Sequence, residues 1–120
     1  MAVILVVDDD PISQRLLGYT LQKQGHQVLS AMNGLLAIAR LDQAEVDLVI
    51  TDLTMPEMDG PTLLKHLRAD PRYTELPIIM LTASGQDQDR IEARAAGVSD
   101  FLTKPTSSRE LIETVTRILS

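Results

Sequence analysis

Residues 49–60, Val49-Ile50-Thr51-Asp52-Leu53-Thr54-Met55-Pro56-Glu57-Met58-Asp59-Gly60, decide the fold and point to the chemistry. An apolar run with β-branched residues at Val46, Val49 and Ile50 stops at an acid, and Pro56 and Gly60 then turn the chain. Near-continuous apolar runs of this kind suit inner strands of a parallel sheet, whose two faces are both covered. Asp52 therefore lies where a strand delivers its last side chain, the place at which open α/β sheets gather ligands.

The pattern repeats on either side. Val3 to Val7 is an apolar run of strand length ended by Asp8-Asp9-Asp10-Pro11. Asp10 reads as a helix N-cap with proline in the first turn, and Ile12, Leu16, Leu17 and Leu21 recur at helical spacing until Gly25. Gln27 to Ala31 is a more polar strand suited to a sheet edge. Asn33-Gly34 could form a hairpin turn, but the helix formers from Leu35 to Leu41 make Asn33 a cap instead. Beyond Asp52, Asp59 caps a helix opened at Gly60-Pro61, carrying Leu63, Leu64 and Leu67 and ending by Asp70-Pro71.

Pro77 to Thr82 is a further apolar strand, and Ser84-Gly85 turns into a polar helix from Gln86 to Ala96 closed by Gly97. Phe101-Leu102-Thr103 is a short strand leading to Lys104-Pro105. The last helix carries Leu111, Ile112, Val115, Ile118 and Leu119 on one face, with Ser107 and Glu110 in a capping-box pattern. Strand and helix thus alternate about five times, which prescribes a parallel sheet with helices on both faces and right-handed crossovers. The expectation is a doubly wound, flavodoxin-like (βα)5 fold with strand order 2-1-3-4-5.

A chain of 120 residues with 44% hydrophobic content has enough apolar material for one core, so residues 1–120 are expected to form one domain. A net charge of -6 argues against a broad nucleic-acid-binding face, and the absence of cysteine excludes disulfides and thiolate metal sites. No apolar stretch approaches membrane-spanning length, and no basic leader opens the chain. A cytoplasmic location without membrane association follows as the expectation.

In a sheet of that order Asp8 and Asp9 follow strand one, Asp52 ends strand three, Thr82 ends strand four and Lys104 follows strand five, so these residues should converge. Clustered carboxylates repel one another unless a cation intervenes, and an all-oxygen ligand set favours a hard divalent ion, Mg²⁺ or Mn²⁺. Asp8, Asp9 and Asp52 would hold it, with the main-chain carbonyl of Thr54 as a further ligand. Lys104 adds a second positive charge and Thr82 a hydroxyl donor, which together make a receptor for a phosphoryl group. Asp52 is the acid best placed to attack phosphorus as a nucleophile.

With these residues in place the chain resembles the receiver domain of bacterial two-component response regulators over essentially its whole length. Val7-Asp8-Asp9, Thr51-Asp52, Met55-Pro56, Met58-Asp59-Gly60, Leu81-Thr82-Ala83 and Lys104-Pro105 carry the resemblance. It implies phosphoryl transfer from a histidine kinase or histidine phosphotransfer protein to Asp52, Mg²⁺ dependence and self-catalysed hydrolysis rather than an enzyme's activity toward other molecules. It also implies a switch in which Thr82 turns toward the phosphoryl group and Phe101 moves inward. That switch would alter the face made by the fourth helix, fifth strand and fifth helix, and so act on an effector or bring about a phosphorylation-dependent dimer. The resemblance further implies a cis bond at Lys104-Pro105 and an influence of Thr54 and Ser84 on phosphoryl lifetime. Phe101 stands where tyrosine is frequent in the family, and Thr106 where phenylalanine is frequent.

Two other readings compete. Asp8-x-Asp10 after a strand is also the pattern of haloacid-dehalogenase-type phosphatases, in which Asp8 would be the nucleophile, although the chain is short for that fold and lacks a later acidic pair. A receiver-like module that binds partners without being phosphorylated is the third. His26 and His66 have no metal or catalytic spacing and read as surface residues, while Met55, Met58 and Met80 read as turn and core packing.

Overall fold

The computed structural model describes residues 2–53, 55, 57–82, 94–104 and 106–120. Five strands form one sheet: β1 (Val3–Val7), β2 (Gln27–Ala31), β3 (Leu48–Asp52), β4 (Ile78–Thr82) and β5 (Asp100–Thr103), in the order β2-β1-β3-β4-β5. Every neighbouring pair is parallel. The helices α1 (Pro11–Lys23), α2 (Gly34–Gln43), α3 (Gly60–Ala69) and a C-terminal helix (Ser108–Leu119) connect or follow them, and a single 3₁₀ turn spans Pro71–Tyr73. The expected helix from Gln86 lies largely outside the described residues; Arg94 and Ala95 are helical, and Gly97 closes the segment at φ 96°.

Alternation along the inner strands divides the apolar side chains between two cores. Leu5, Val7, Val49, Ile78 and Met80 face α2 and α3, where they meet Ala37, Leu41, Leu63, Leu64 and Leu67. Ile4, Val6, Leu48, Ile50, Ile79 and Leu81 face α1 and the C-terminal helix, where they meet Leu17, Leu21, Leu111 and Val115. Both faces of β1, β3 and β4 are covered, which is why these strands read as continuous apolar runs rather than as alternating ones.

The helix starts follow the expected chemistry. Asp10, Asn33, Asp59 and Ser107 each accept a hydrogen bond from a backbone N–H of the first turn, at Ile12, Leu36, Thr62 and Glu110 respectively. One expectation about α1 needs correction. Ile12 and Leu16 were placed on its apolar stripe, yet they are 70% and 64% exposed. Successive helical positions are about 100° apart, so the stripe through Leu17 and Leu21 turns Ile12, Leu16 and Tyr19 away from the sheet.

The turn after β3 is fastened at both ends. Gly60 N–H donates to the Leu53 carbonyl at 2.9 Å, and Gly34 N–H donates to the Met58 carbonyl at 3.1 Å. Between them Glu57 takes φ 68°, a left-handed conformation that side chains other than glycine rarely adopt. Gly60 lies so close to the end of β3 that a Cβ there would overlap the Asp52 carbonyl oxygen and sit 3.1 Å from Leu53 Cα. Gly60→Ala is therefore expected to destabilise the fold by roughly 1–3 kcal/mol, because the obstructing atoms are backbone. Urea denaturation checks this as a lower midpoint at an unchanged slope.

Candidate functional site

The strand ends β1, β3, β4 and β5 bring the acids, the lysine and the hydroxyl together at one edge of the sheet. Lys104, just past β5, extends its ammonium between two carboxylates, 2.8 Å from Asp8 Oδ2 and 3.2 Å from Asp52 Oδ2. Asp8 is fully buried, and its other oxygen accepts from the Asp10 N–H at 2.9 Å. Asp52 is partly open, with its side chain 14% exposed, and its Oδ1 accepts from the Leu53 N–H at 2.9 Å. Asp9 is exposed at the rim. One oxygen from each of Asp8, Asp9 and Asp52 falls within 4.8 Å of the others.

The electrostatics differ between the two bridged carboxylates and their lysine. Burial raises the Asp52 pKa, Lys104 pulls it down, and the neighbouring Asp8 charge raises it; the net direction is upward. Burial alone would lower the Lys104 pKa, but its hydrogen bond to Asp8 and the charges of Asp52 and Asp8 outweigh that and carry it upward. The ammonium is therefore held charged. Among the described residues three carboxylates face one ammonium, an excess of negative charge, and all the donors are oxygen, a set that fits a hard divalent cation.

Thr82 supplies a second sign of a missing partner. Its hydroxyl at the end of β4 is buried, and its oxygen has no hydrogen-bond partner among the described residues. Buried hydroxyls rarely remain unpaired, and those that do call for an explanation. Phe101 is half-buried against the α2–α3 core, with the Arg94 guanidinium 5.8 Å from its ring centre. Thr54, Ser84 and Pro105, and with them the carbonyl ligand, the lifetime positions and the cis bond, lie outside the described residues.

Gln14 is a participant that no motif in the sequence singles out. From α1 its side-chain NH2, with two hydrogens to donate, lies 2.8–3.0 Å from the carbonyls of Val6, Asp8 and Ala31. It thereby ties the ends of β1 and β2 to the loop that carries Asp8 and Asp9. His26, expected as a plain surface residue, is half-buried and accepts a hydrogen bond from the Ala2 N–H at 3.2 Å through Nδ1. Asp10 and Asp59 serve as caps, as their spacing to the following helices suggested.

Residues 4–116 match the response regulator receiver domain family. The master transcriptional regulator RpaA of Synechocystis is 39% identical over 99% of this chain, which spans 49% of that regulator's length. Protein PilH of Pseudomonas aeruginosa is 36% identical over 100% of this chain and 99% of its own. The crystal structure of the receiver domain of the sensor histidine kinase PA1611 from P. aeruginosa, with a magnesium ion coordinated in its active-site cleft, superposes with a TM-score of 0.90 at 30% identity, covering 98% of this chain and 97% of that one.

The raised Asp52 pKa has a consequence for stability. A carboxyl whose folded pKa exceeds its unfolded value contributes stability that is present at acid pH and lost as pH rises through the folded pKa. At neutral pH, in chelator, ionised Asp52 thus costs stability. Asp52→Asn is expected to melt a few degrees higher than the parent there, an advantage that fades as the solution is acidified through the Asp52 pKa. Thermal melts across a pH series read it.

Proposed function

The chain belongs to the response regulator receiver domain family of two-component systems, and from that premise we propose that Asp52 is its phosphoacceptor. The observation that carries this reading is the single ammonium of Lys104 shared between Asp8 and Asp52, residues brought together from three separate strand ends. Receiver domains are signalling domains rather than enzymes in general, and they work with histidine kinases and with effector partners or output domains. Residues 1–120 would act as one such domain, at work in the cytoplasm; among the described residues no helix is long and apolar enough to cross a membrane.

In the proposed reaction a carboxylate oxygen of Asp52 attacks the phosphorus of a phosphohistidine. The new O–P bond forms as the P–N bond breaks, and the histidine nitrogen leaves with the electron pair. Lys104 offsets the charge that gathers on the phosphoryl oxygens, and such fixed charges commonly supply the largest share of catalysis. The Thr82 hydroxyl, unpaired among the described residues, would turn to donate to a phosphoryl oxygen. Asp8, Asp9 and Asp52 would hold Mg²⁺, with the Thr54 carbonyl as a further ligand, and the bound ion would supply additional positive charge at the phosphoryl oxygens. Phe101, in contact with the core beside Met80 on the ladder, is the aromatic through which Thr82's movement would reach the output face. Thr54 and Ser84 would tune the rate of the return to the free acid by hydrolysis.

Asp8 does not suit the dehalogenase-type role. Its side chain has no exposed surface from which to reach a phosphodonor. Asp52 retains an open edge.

The phosphodonor's approach is marked by apolar exposure. Ile12 and Leu16 stand 70% and 64% exposed on α1, beside a pocket of about 270 Å³ that Leu16, Ser13, Lys104 and Thr106 help to line. A kinase or phosphotransfer protein seated there would lie beside Lys104, whose ammonium is 3.2 Å from Asp52 Oδ2.

Incubation with acetyl phosphate and Mg²⁺ should add one phosphoryl group by intact mass, and Asp52→Asn or EDTA should abolish the addition. Persistence of the label in Asp52→Asn together with its loss in Asp8→Asn would overturn the assignment. Lys104→Met should slow labelling by roughly 10²–10³-fold while the chain stays folded. Leu16→Asp should slow transfer from the cognate kinase and leave labelling by acetyl phosphate unchanged, as read by comparing the two donors side by side.

A further inference from the structure

The edge of the sheet at β2 has a chemistry unlike the rest of the molecule. Gln27-Val28-Leu29-Ser30-Ala31 carries no charge and no proline, the two commonest means by which exposed edge strands are protected. Gln27 N–H bonds to the Ala2 carbonyl, and the Ala31 carbonyl accepts from the Asp8 N–H, so positions 27 and 31 are directed at β1. In a parallel ladder the intervening positions Val28 and Ser30 therefore direct their N–H and C=O groups away from the sheet. The Ser30 carbonyl shows this directly, since it accepts the Arg40 Nε–H from α2 at 3.2 Å.

Two grooves flank the edge, one against α1 and one against α2. Tyr19, Val28 and Met32 supply apolar surface to the first, and Met32 and Leu36 to the second; Tyr19, Leu36 and Met32 are 61%, 49% and 39% exposed. Arg15 lines the first groove and Arg40 the second, and no carboxylate lines either among the described residues. Lys23 adds a third cation, 5.3 Å from the Tyr19 ring centre. In a protein of net charge -6 this edge is a local excess of positive charge.

From these observations we infer that β2 is a docking edge for an extended, acidic peptide segment of a partner protein, which adds as a sixth strand outside β2. Main-chain bonds to Val28 and Ser30 would give register, and alternate side chains would enter the two grooves. The charge pattern selects this occupant over a second copy of the chain. Two copies paired edge to edge would set Arg15, Lys23 and Arg40 against their own counterparts, whereas acidic side chains complement them. Arg40 also acts as a guard. A strand can add only when Arg40 leaves the Ser30 carbonyl, and a carboxylate offers that guanidinium a stronger, charge-assisted partner than the neutral carbonyl it gives up.

The probe is a capped pentapeptide of alternating glutamate and valine, with a lysine-for-glutamate peptide as the control, each titrated to millimolar concentration into the full ¹⁵N-labelled chain. The acidic probe should shift the amide resonances of Val28 and Ser30 and the control should not. The paired substitution Arg15→Glu and Arg40→Glu should weaken the response by roughly tenfold or more. Ser30→Pro, which removes an outward N–H, should abolish it while Asp52 labelling by acetyl phosphate persists. Unmoved Val28 and Ser30 amides, an equal response to both peptides, or a shift that survives the charge reversal would overturn the inference. So would a dimer in sedimentation of the free chain that Ser30→Pro or the charge reversal removes.

Discussion

One ammonium shared between two carboxylates is the interaction on which the site depends. Asp8 is fully buried and Asp52 partly so, and two carboxylates this close repel one another unless a cation lies between them. Lys104 occupies that position at 2.8 and 3.2 Å. Its two bonds are unequal in kind as well as length. Asp8 is buried and bonded to both Lys104 and the Asp10 N–H. Asp52 keeps exposed surface and a raised pKa, the two features on which the proposal of Asp52 as phosphoacceptor draws. The same lysine thus meets two acids of the same chemistry in different surroundings.

The surroundings hold this arrangement by backbone rather than by side-chain bulk. Gly60 brings the start of α3 against the Asp52 carbonyl, Gly34 fastens the following turn to α2, and Gln14 gathers three strand-end carbonyls beneath the β1–α1 loop. Each contact fixes where a strand end stops and hence where its acid points. Among the described residues the clustered acidic charge and the Thr82 hydroxyl remain without full compensation, and the proposed phosphoryl group with a divalent cation would meet both.

Much of this was legible in the sequence because strand ends in a doubly wound sheet are set by where apolar runs stop. The stops at Asp8, Asp52 and Thr82 and the placement of Lys104 put four distant residues at one edge, and the structure places them there. The caps Asp10, Asn33, Asp59 and Ser107 were legible for a similar reason, since cap and N–H lie within one turn of each other. What the sequence hid depends on rotation and reach. Ile12 and Leu16 satisfy helical spacing but fall roughly 100–180° from Leu17 and Leu21, and spacing alone does not say which stripe meets the sheet. Gln14, His26 and Arg40 act through polar groups on backbone atoms far away in the chain, and the backbone leaves no trace in the pattern of residue types. The left-handed turn at Glu57 was equally invisible, because glycine would have announced it and glutamate does not.

Lys104 is contributed 96 residues downstream of the aspartate it holds most tightly. The β1 loop is made early in synthesis, yet its buried acid has no counter-charge until the fifth strand has docked at the far side of β4. A nascent or clipped chain that has assembled the first four strands would carry an acidic pocket with nothing to balance it. The charge balance of the first strand's loop is thereby tied to the docking of the fifth strand, across β3 and β4, which lie between them.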